Sequence, residues 1–226
     1  MSPPGSHKWE FKARFRRHAF GWRSQPAILR IREAVREIRK VSHQDPILAA
    51  DGAVAFLERL SPALEQIDSS SGAIGTAVNK AVRELVKIIA AAPADPATRD
   101  RWLERLWTAH EEDDIPYIET LADYWGDLCV SKETASRWAD RLIGTTRLAF
   151  SPEHRANSSF DGSIACLSSL FQAGRYAEII DLVPDDTIWY YWEWAERARA
   201  ALAGEDPPGR IIQLSSARNW SNQVNP

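Results

Sequence analysis

"PAILRIREAVREIRK", residues 26–40, sets Ile28, Ile31, Val35 and Ile38 at intervals of three and four. That spacing puts the four apolar side chains on one face of a helix. Arg32, Arg36, Arg39 and Lys40 fall mainly on other faces. Pro26 suits a first helical position, where its missing N–H is not needed. The same punctuation recurs along the chain. Asp45-Pro46, Ser61-Pro62, Asp95-Pro96 and Ile115-Pro116 each place proline at or near a helix start, and all but the last have a capping residue in front. Working outward from these signals predicts helices at 26–42, 46–60, 62–67, 72–91, 97–111, 116–129, 132–149, 161–173, 175–183 and 188–203. No segment alternates apolar and polar residues over a usable length between turns, so an all-α fold is expected.

Short connections between such helices favour antiparallel neighbours. "CLSSLFQAGRYAEIIDLV", residues 166–183, resembles the helix-turn-helix of a tetratricopeptide-type repeat, with Gly174 ending one helix and Tyr176 opening the next. The following helix, "WYYWEWAERARAALAG", ends on Gly204, thirty residues later and short of the usual repeat period of about 34. Ile179 stands where that family usually has a small residue, and the first 150 residues show no fixed period. The expected architecture is therefore an irregular right-handed α-solenoid, an array of antiparallel helical hairpins. The opening block and "SSSGAIGTAV" also resemble uncharacterised bacterial helical-repeat proteins (tetratricopeptide/HEAT-like hairpins) over about residues 8–203. That resemblance implies a helical-repeat fold and a C-terminally shortened member, and it carries over no catalytic residue. Three segments are expected: a basic-aromatic cap at 1–25, the helical-repeat domain at 26–204 and an irregular tail at 205–226. The tail offers Ile211, Ile212, Leu214 and Trp220 as cover for a last apolar face, although a truncated array explains it better.

Composition narrows the function classes. Hydrophobic residues at 44% and charged residues at 26% describe a globular chain with enough apolar material for a continuous core. Ten Trp imply many indole anchors between helices. No stretch approaches a membrane span of about 18 to 20 apolar residues, and the opening residues lack the apolar h-region expected of a signal peptide. Cys129 and Cys166 are far apart and in no metal-ligand pattern, so neither a disulfide framework nor a zinc site is expected, and a cytoplasmic location fits best.

Charge is unevenly spread. Residues 8–40 hold a local +8, and the remainder of the chain carries −11. Within "KWEFKARFRRHAFGWRS", residues 8–24, six bases alternate with Trp9, Phe11, Phe15, Phe20 and Trp22. Such a mixture serves two functions. Lys8, Lys12, Arg14, Arg16, Arg17 and Arg23 could hold phosphates while Trp9 or Trp22 stacks on bases, with Phe11 and Phe15 as further candidates. Alternatively the aromatics cover the first helices and the bases face acids of the same fold. The second reading is preferred, because a free nucleic-acid arm is usually poor in large apolar side chains.

Three further motifs invite chemistry. The Ser/Gly-rich turn at 68–76 opens a helix and offers Ser69, Ser70, Ser71 and Thr76 as anion contacts, but it lacks the Gly-Lys-Ser/Thr ending of a phosphate loop. A capped helix start, with Gly72, Gly75, Ala73 and Ala77 permitting close packing, explains it better. Glu119, Asp123 and Asp127 recur every four residues, near His110, yet without the spacing of a calcium loop; a solvated face, or a dock for the basic segment, is the simpler reading. "WYYWEW", residues 189–194, reads as two-sided packing between neighbouring helices. The five His are scattered singly, and no catalytic, metal or cofactor constellation is nominated. The expected function is a non-enzymatic scaffold that binds a protein or peptide, with a nucleic-acid role for the N-terminal segment as the alternative.

Overall fold

The computed structural model describes residues 7–70, 72–154, 160–184 and 189–205. Every element among them is helical, and no strand occurs. The order is α1 (Phe11–Arg14), α2 (Ser24–Ser42), α3 (Pro46–Leu64), α4 (Ala73–Ala91), α5 (Pro96–Glu111), a 3-10 helix (Glu119–Tyr124), α6 (Trp125–Cys129), α7 (Lys132–Phe150), α8 (Ser163–Ala173), α9 (Tyr176–Leu182) and α10 (Trp189–Leu202). Two compact units meet in sequence between Thr120 and Leu121.

In the first unit α2, α3 and α4 pack on one another, and α5 packs on α3. Asp45 and Asp95 cap α3 and α5 as their position before proline predicts, accepting from Leu48 N at 2.9 Å and Thr98 N at 3.0 Å. The expected break at Ser61-Pro62 is absent: α3 runs through Pro62 to Leu64. Proline there removes one hydrogen bond in a last turn whose carbonyls have outside partners. His18 N donates to Pro62 O at 2.9 Å, and the Tyr117 hydroxyl donates to Leu64 O at 3.3 Å.

Helix α4 ends on a different device. The Arg99 guanidinium, buried in α5, donates to Ile89 O and Ala92 O at 2.7 Å each, which satisfies carbonyls left open at a helix C-terminus. Arg105 of α5 grips α3, making two 2.7 Å bonds to Glu58 and one of 2.8 Å to Asp51. Of the helix expected at 116–129 only the end, α6, is α-helical; a turn and the 3-10 helix take the place of the rest. Asp113 accounts for this, because its carboxylate accepts from Tyr117 N at 3.2 Å and Ile118 N at 2.7 Å and so takes the N–H groups an earlier helix would use.

In the second unit α8 is the centre, packed by α6, α7, α9 and α10. Its residues 163–170 are all buried. The crossing with α6 is close because Gly126 has no side chain: a Cβ there would stand 2.3 Å from Ser168 O. Gly126 N instead donates to the Ser168 hydroxyl at 3.0 Å, and that hydroxyl donates to Asp123 O at 3.0 Å. Gly174 ends α8 in the left-handed conformation (φ 78°), with Gly174 N bonded to Phe171 O and Arg175 N to Leu170 O. This pair of bonds is a Schellman motif, and Gly204 repeats it at the end of α10 through Ala201 O and Ala200 O. Arg175 then clamps α9 to α7, reaching Glu178 at 2.5 and 2.7 Å, Asp140 at 2.5 Å and the Ser136 hydroxyl at 3.1 Å. Residues 206–226, with Ile211, Ile212, Leu214 and Trp220, lie outside the described residues.

Candidate functional site: a basic groove between two parallel helices

Helices α2 and α4 run in the same direction. Asp68 N donates to Trp22 O at 3.0 Å just before the two helices begin, and Arg39 reaches Glu84 at 3.4 Å in their later turns. Between them lies a groove of about 540 Å³. Ile28, Ile31 and Val35 of α2 and Ala81 of α4 lie at its bottom, buried in the core at 1–6% exposure, and Ala73 and Ala77 are half-buried on the α4 side. Arg32, Arg36, Arg39 and Lys80 stand on its rim, with Thr76 and Glu84 on the α4 side.

The two flanks of α2 differ in charge pairing. Glu33 binds Arg30 at 2.7 Å and Arg14 at 3.0 Å, and the Arg30 hydrogen bond in particular holds its carboxyl below the usual range. On the groove side, Arg32, Arg36 and Lys80 make no ion pair among the described residues, although Arg36 adds to the field on Glu33. Arg39 has only its long contact with Glu84. Arg32 and Arg36 are also like charges one helical turn apart, an arrangement that costs a few tenths of a kcal/mol when nothing neutralises it.

The basic-aromatic segment is divided by the fold. Trp9, Phe11 and Phe15 are 4%, 1% and 2% exposed, so their faces are not open to a base. Trp9 lies over Gly52, where a Cβ would come within 2.2 Å of the indole, and Phe11 and Phe15 stack edge-on against Phe56 at 5.3 and 4.8 Å. The stacking role considered for Trp9 is therefore corrected: its ring is core. Trp22, at 69% exposed, remains open to solvent. Among the proposed phosphate contacts, Arg14 pairs with Glu10 and Glu33, and Arg17 pairs with Glu65 at 3.2 Å. Lys8, Lys12, Arg16 and Arg23 are exposed and make no ion pair among the described residues.

The Ser-rich turn is satisfied from within. Asp68 accepts from Ser70 N at 2.9 Å, and the Ser70 side chain also bonds to it, which lowers the Asp68 pKa. Thr76 donates its hydroxyl to Gly72 O at 3.1 Å, Ser69 and Ser70 are exposed, and Ser71 lies outside the described residues. Gly72 adopts a left-handed conformation (φ 66°) before α4, and a Cβ at Gly75 would meet nothing within 4 Å, so the close packing expected of these glycines is not observed. Of the nominated anion contacts among the described residues, only Thr76 reaches the groove.

The acidic stripe is rearranged as well. Glu119 and Asp123 sit in the 3-10 helix and Asp127 in α6, so a four-residue interval no longer stacks them; Asp123 is buried. No group of three metal-ligating residues assembles among the described residues. Both cysteines are buried and free, and burial pushes the Cys166 thiol up to about 11, outside the range of a reactive thiolate. In α10 Trp194 is buried but Trp192 is 49% exposed, so the aromatic run packs less completely than expected; the Trp189 side chain lies outside the description.

Among the described residues no helix is long and apolar enough to cross a membrane. The chain matches no protein-family model, no curated protein and no solved structure. The groove is what sequence reasoning missed. Its signal is present as Arg32, Arg36 and Arg39 at intervals of four and three, and Ala73, Ala77 and Ala81 at intervals of four, but only the pairing of α2 with α4 joins the two series.

Proposed function

We propose that the chain is a helical-repeat scaffold, an irregular right-handed array of antiparallel hairpins related to bacterial tetratricopeptide/HEAT-like proteins, that binds a protein or peptide in the cytoplasm and performs no chemistry of its own. One observation carries this reading: the α2–α4 groove, with half-buried Ala73 and Ala77 on one side, is rimmed by exposed cations that have no ion-pair partner among the described residues. A groove between helices suits capture of a short segment of another protein.

The test is a peptide-display selection against the wild type and against Ala77→Trp, which fills the groove from a half-buried position on α4 and whose fold is checked by circular dichroism. Peptides enriched on the wild type and lost on the variant are expected. Identical enrichment on both would count against the groove.

A second reading rests on Trp22, which is exposed beside the exposed Arg23, with Lys8, Lys12 and Arg16 nearby in sequence. Those groups would bind single-stranded nucleic acid by stacking and phosphate contact. Oligonucleotide binding at about 50 mM salt that weakens steeply by about 200 mM, and falls further in Trp22→Ala, would support it. Absence of binding at the lower salt removes it.

A further inference from the structure

We propose that the segment before α2 is an exchangeable arm: residues 7–20 of one copy seat on α2 and α3 of a second copy, which returns its own arm, so that two chains form a reciprocally swapped dimer. The partner is chosen by what the seat already holds. Trp9, Phe11 and Phe15 are buried there. Gly52 leaves room for the indole, since a Cβ would stand 2.2 Å from it, and Phe56 meets both phenylalanine rings edge-on. The rim is acidic where the arm is basic. Arg14 pairs with Glu33 at 3.0 Å, Arg17 and His18 lie 3.2 and 3.1 Å from Glu65, and Glu10 N donates to Glu37 at 2.9 Å. Shape and charge together select this arm, and a second copy carries it unaltered.

The arm is held much as a bound peptide is. Its one helix, α1, is a single turn, and aromatic side chains carry the docking. Among the described residues its backbone reaches the rest of the unit through Glu10 N and through His18 N, which donates to Pro62 O at 2.9 Å. An exchanged arm remakes all of these contacts on the other copy, which is why swapping an element is a low-cost route to a dimer.

Only the connection differs between the two states. Phe20 stacks on Phe15 at 5.2 Å, and α2 begins at Ser24, so the link is Gly21, Trp22 and Arg23, all exposed. The chain bends at Phe20 and again at Trp22 to bring the arm back onto its own unit. A short link that must bend in this way invites exchange, because the straightened link of a swapped dimer is relieved of the bend. Straightening gives up the bond from Asp68 N to Trp22 O at 3.0 Å. In return Trp22, 69% exposed in the single chain, gains cover where the two straightened links run side by side. The seat lies on the Glu33 flank of α2, away from the groove, so the exchange stands or falls apart from the groove's occupant.

The experiment follows the full chain by size-exclusion chromatography with light scattering from about 10 µM to 1 mM, since a dimer share grows with concentration by mass action. Wild type should show monomer and dimer as separate, slowly exchanging species. A Gly/Ser insertion of six residues after Gly21 lets the arm fold back without the bend and should lower the dimerisation constant by at least about tenfold. Deletion of Gly21 and Trp22 keeps the arm from its own seat and should give dimer at every concentration. Both variants are checked for helix content by circular dichroism. A wild type that is monomeric throughout, a dimer share that the insertion leaves unchanged, or a folded deletion variant that is monomeric overturns the proposal. Should the deletion variant fail to fold, wild type and insertion decide alone.

Discussion

Arg105 in the first unit and Arg175 in the second do the same mechanical work: each guanidinium forks onto a glutamate and reaches an aspartate, one tying α5 to α3 and the other tying α9 to α7. Arg32 and Arg36 of α2 carry the same group and hold nothing in this way among the described residues. The difference lies in surroundings. The clamping side chains are 36% and 23% exposed and each reaches an aspartate on another helix, Asp51 of α3 and Asp140 of α7, whereas Arg32 and Arg36 are exposed on α2 and make no ion pair among the described residues. A cation that serves the fold is ringed by acids of the same unit; one that lacks them is available to a partner.

The close crossing in the second unit and the Trp9 contact in the first extend that comparison to packing, with the largest expected effects. Gly126→Ala sets a methyl 2.3 Å from the backbone oxygen of Ser168, which cannot turn away. A loss of about 2–4 kcal/mol is expected in chemical denaturation. Gly52→Ala presses on the Trp9 indole at 2.2 Å, a side chain on the N-terminal segment that can lift off. Its cost should be smaller, about 1–3 kcal/mol, with indole fluorescence shifted toward the exposed value. Equal losses with no fluorescence change would mean that the segment does not yield.

Acid–base behaviour separates the units next. Burial raises the Asp113 carboxyl to about 6 from 3.8, despite its bonds to Ser61, Ile118 and Tyr117. Protons therefore bind the folded state more readily than the unfolded one between about pH 4 and 6, and the first unit loses stability as pH rises through that window, by about 2 kcal/mol. In the second unit the Arg175 hydrogen bond lowers Glu178, so that contribution is present above the ordinary glutamate pKa and is lost as pH falls below it. Asp113→Asn should flatten the slope between pH 4 and 6 and leave the loss below pH 4 in place. A slope unchanged by the substitution would assign it elsewhere.

The clamps come next, followed by a single strained residue. Arg175→Ala should cost about 1–2 kcal/mol and Arg105→Ala somewhat less, because the Arg105 side chain is the more exposed and the more screened; Arg32→Ala should change stability by no more than about 0.5 kcal/mol. Comparable losses for all three, measured by urea denaturation, would erase the distinction between fold and groove. Val130 takes φ 64° and ψ −54° between α6 and α7, a conformation that glycine adopts without strain, as Gly174 and Gly204 show at positive φ. Its side chain is 47% exposed, so Val130→Gly gives up little burial and should raise stability by about 0.5–1 kcal/mol. A lower thermal midpoint would show that the valine contacts outweigh the strain.

These differences also mark what a sequence can express. Helices begun by Asp45-Pro46 and Asp95-Pro96 were legible because cap and helix are local neighbours, and Gly174 was legible as an end for the same reason. The passage of α3 through Pro62 was not, since its last carbonyls are satisfied by His18 and by Tyr117, more than forty residues apart from each other. Asp113 likewise redirects 116–124 by taking two N–H groups ahead of it, a competition that periodicity does not register. The groove depends on α2 and α4 lying parallel with a third helix between them in sequence, so neither amphipathic pattern alone contains it.

The most direct measurement is amide chemical-shift mapping of the full chain, isotope-labelled, titrated with a peptide enriched by display on the wild type. Saturable shifts confined to Gln25–Arg39 and Ala73–Glu84, the faces that line the groove, are predicted. Shifts centred on residues 8–24 or on α7–α10, or none at all, would contradict the account.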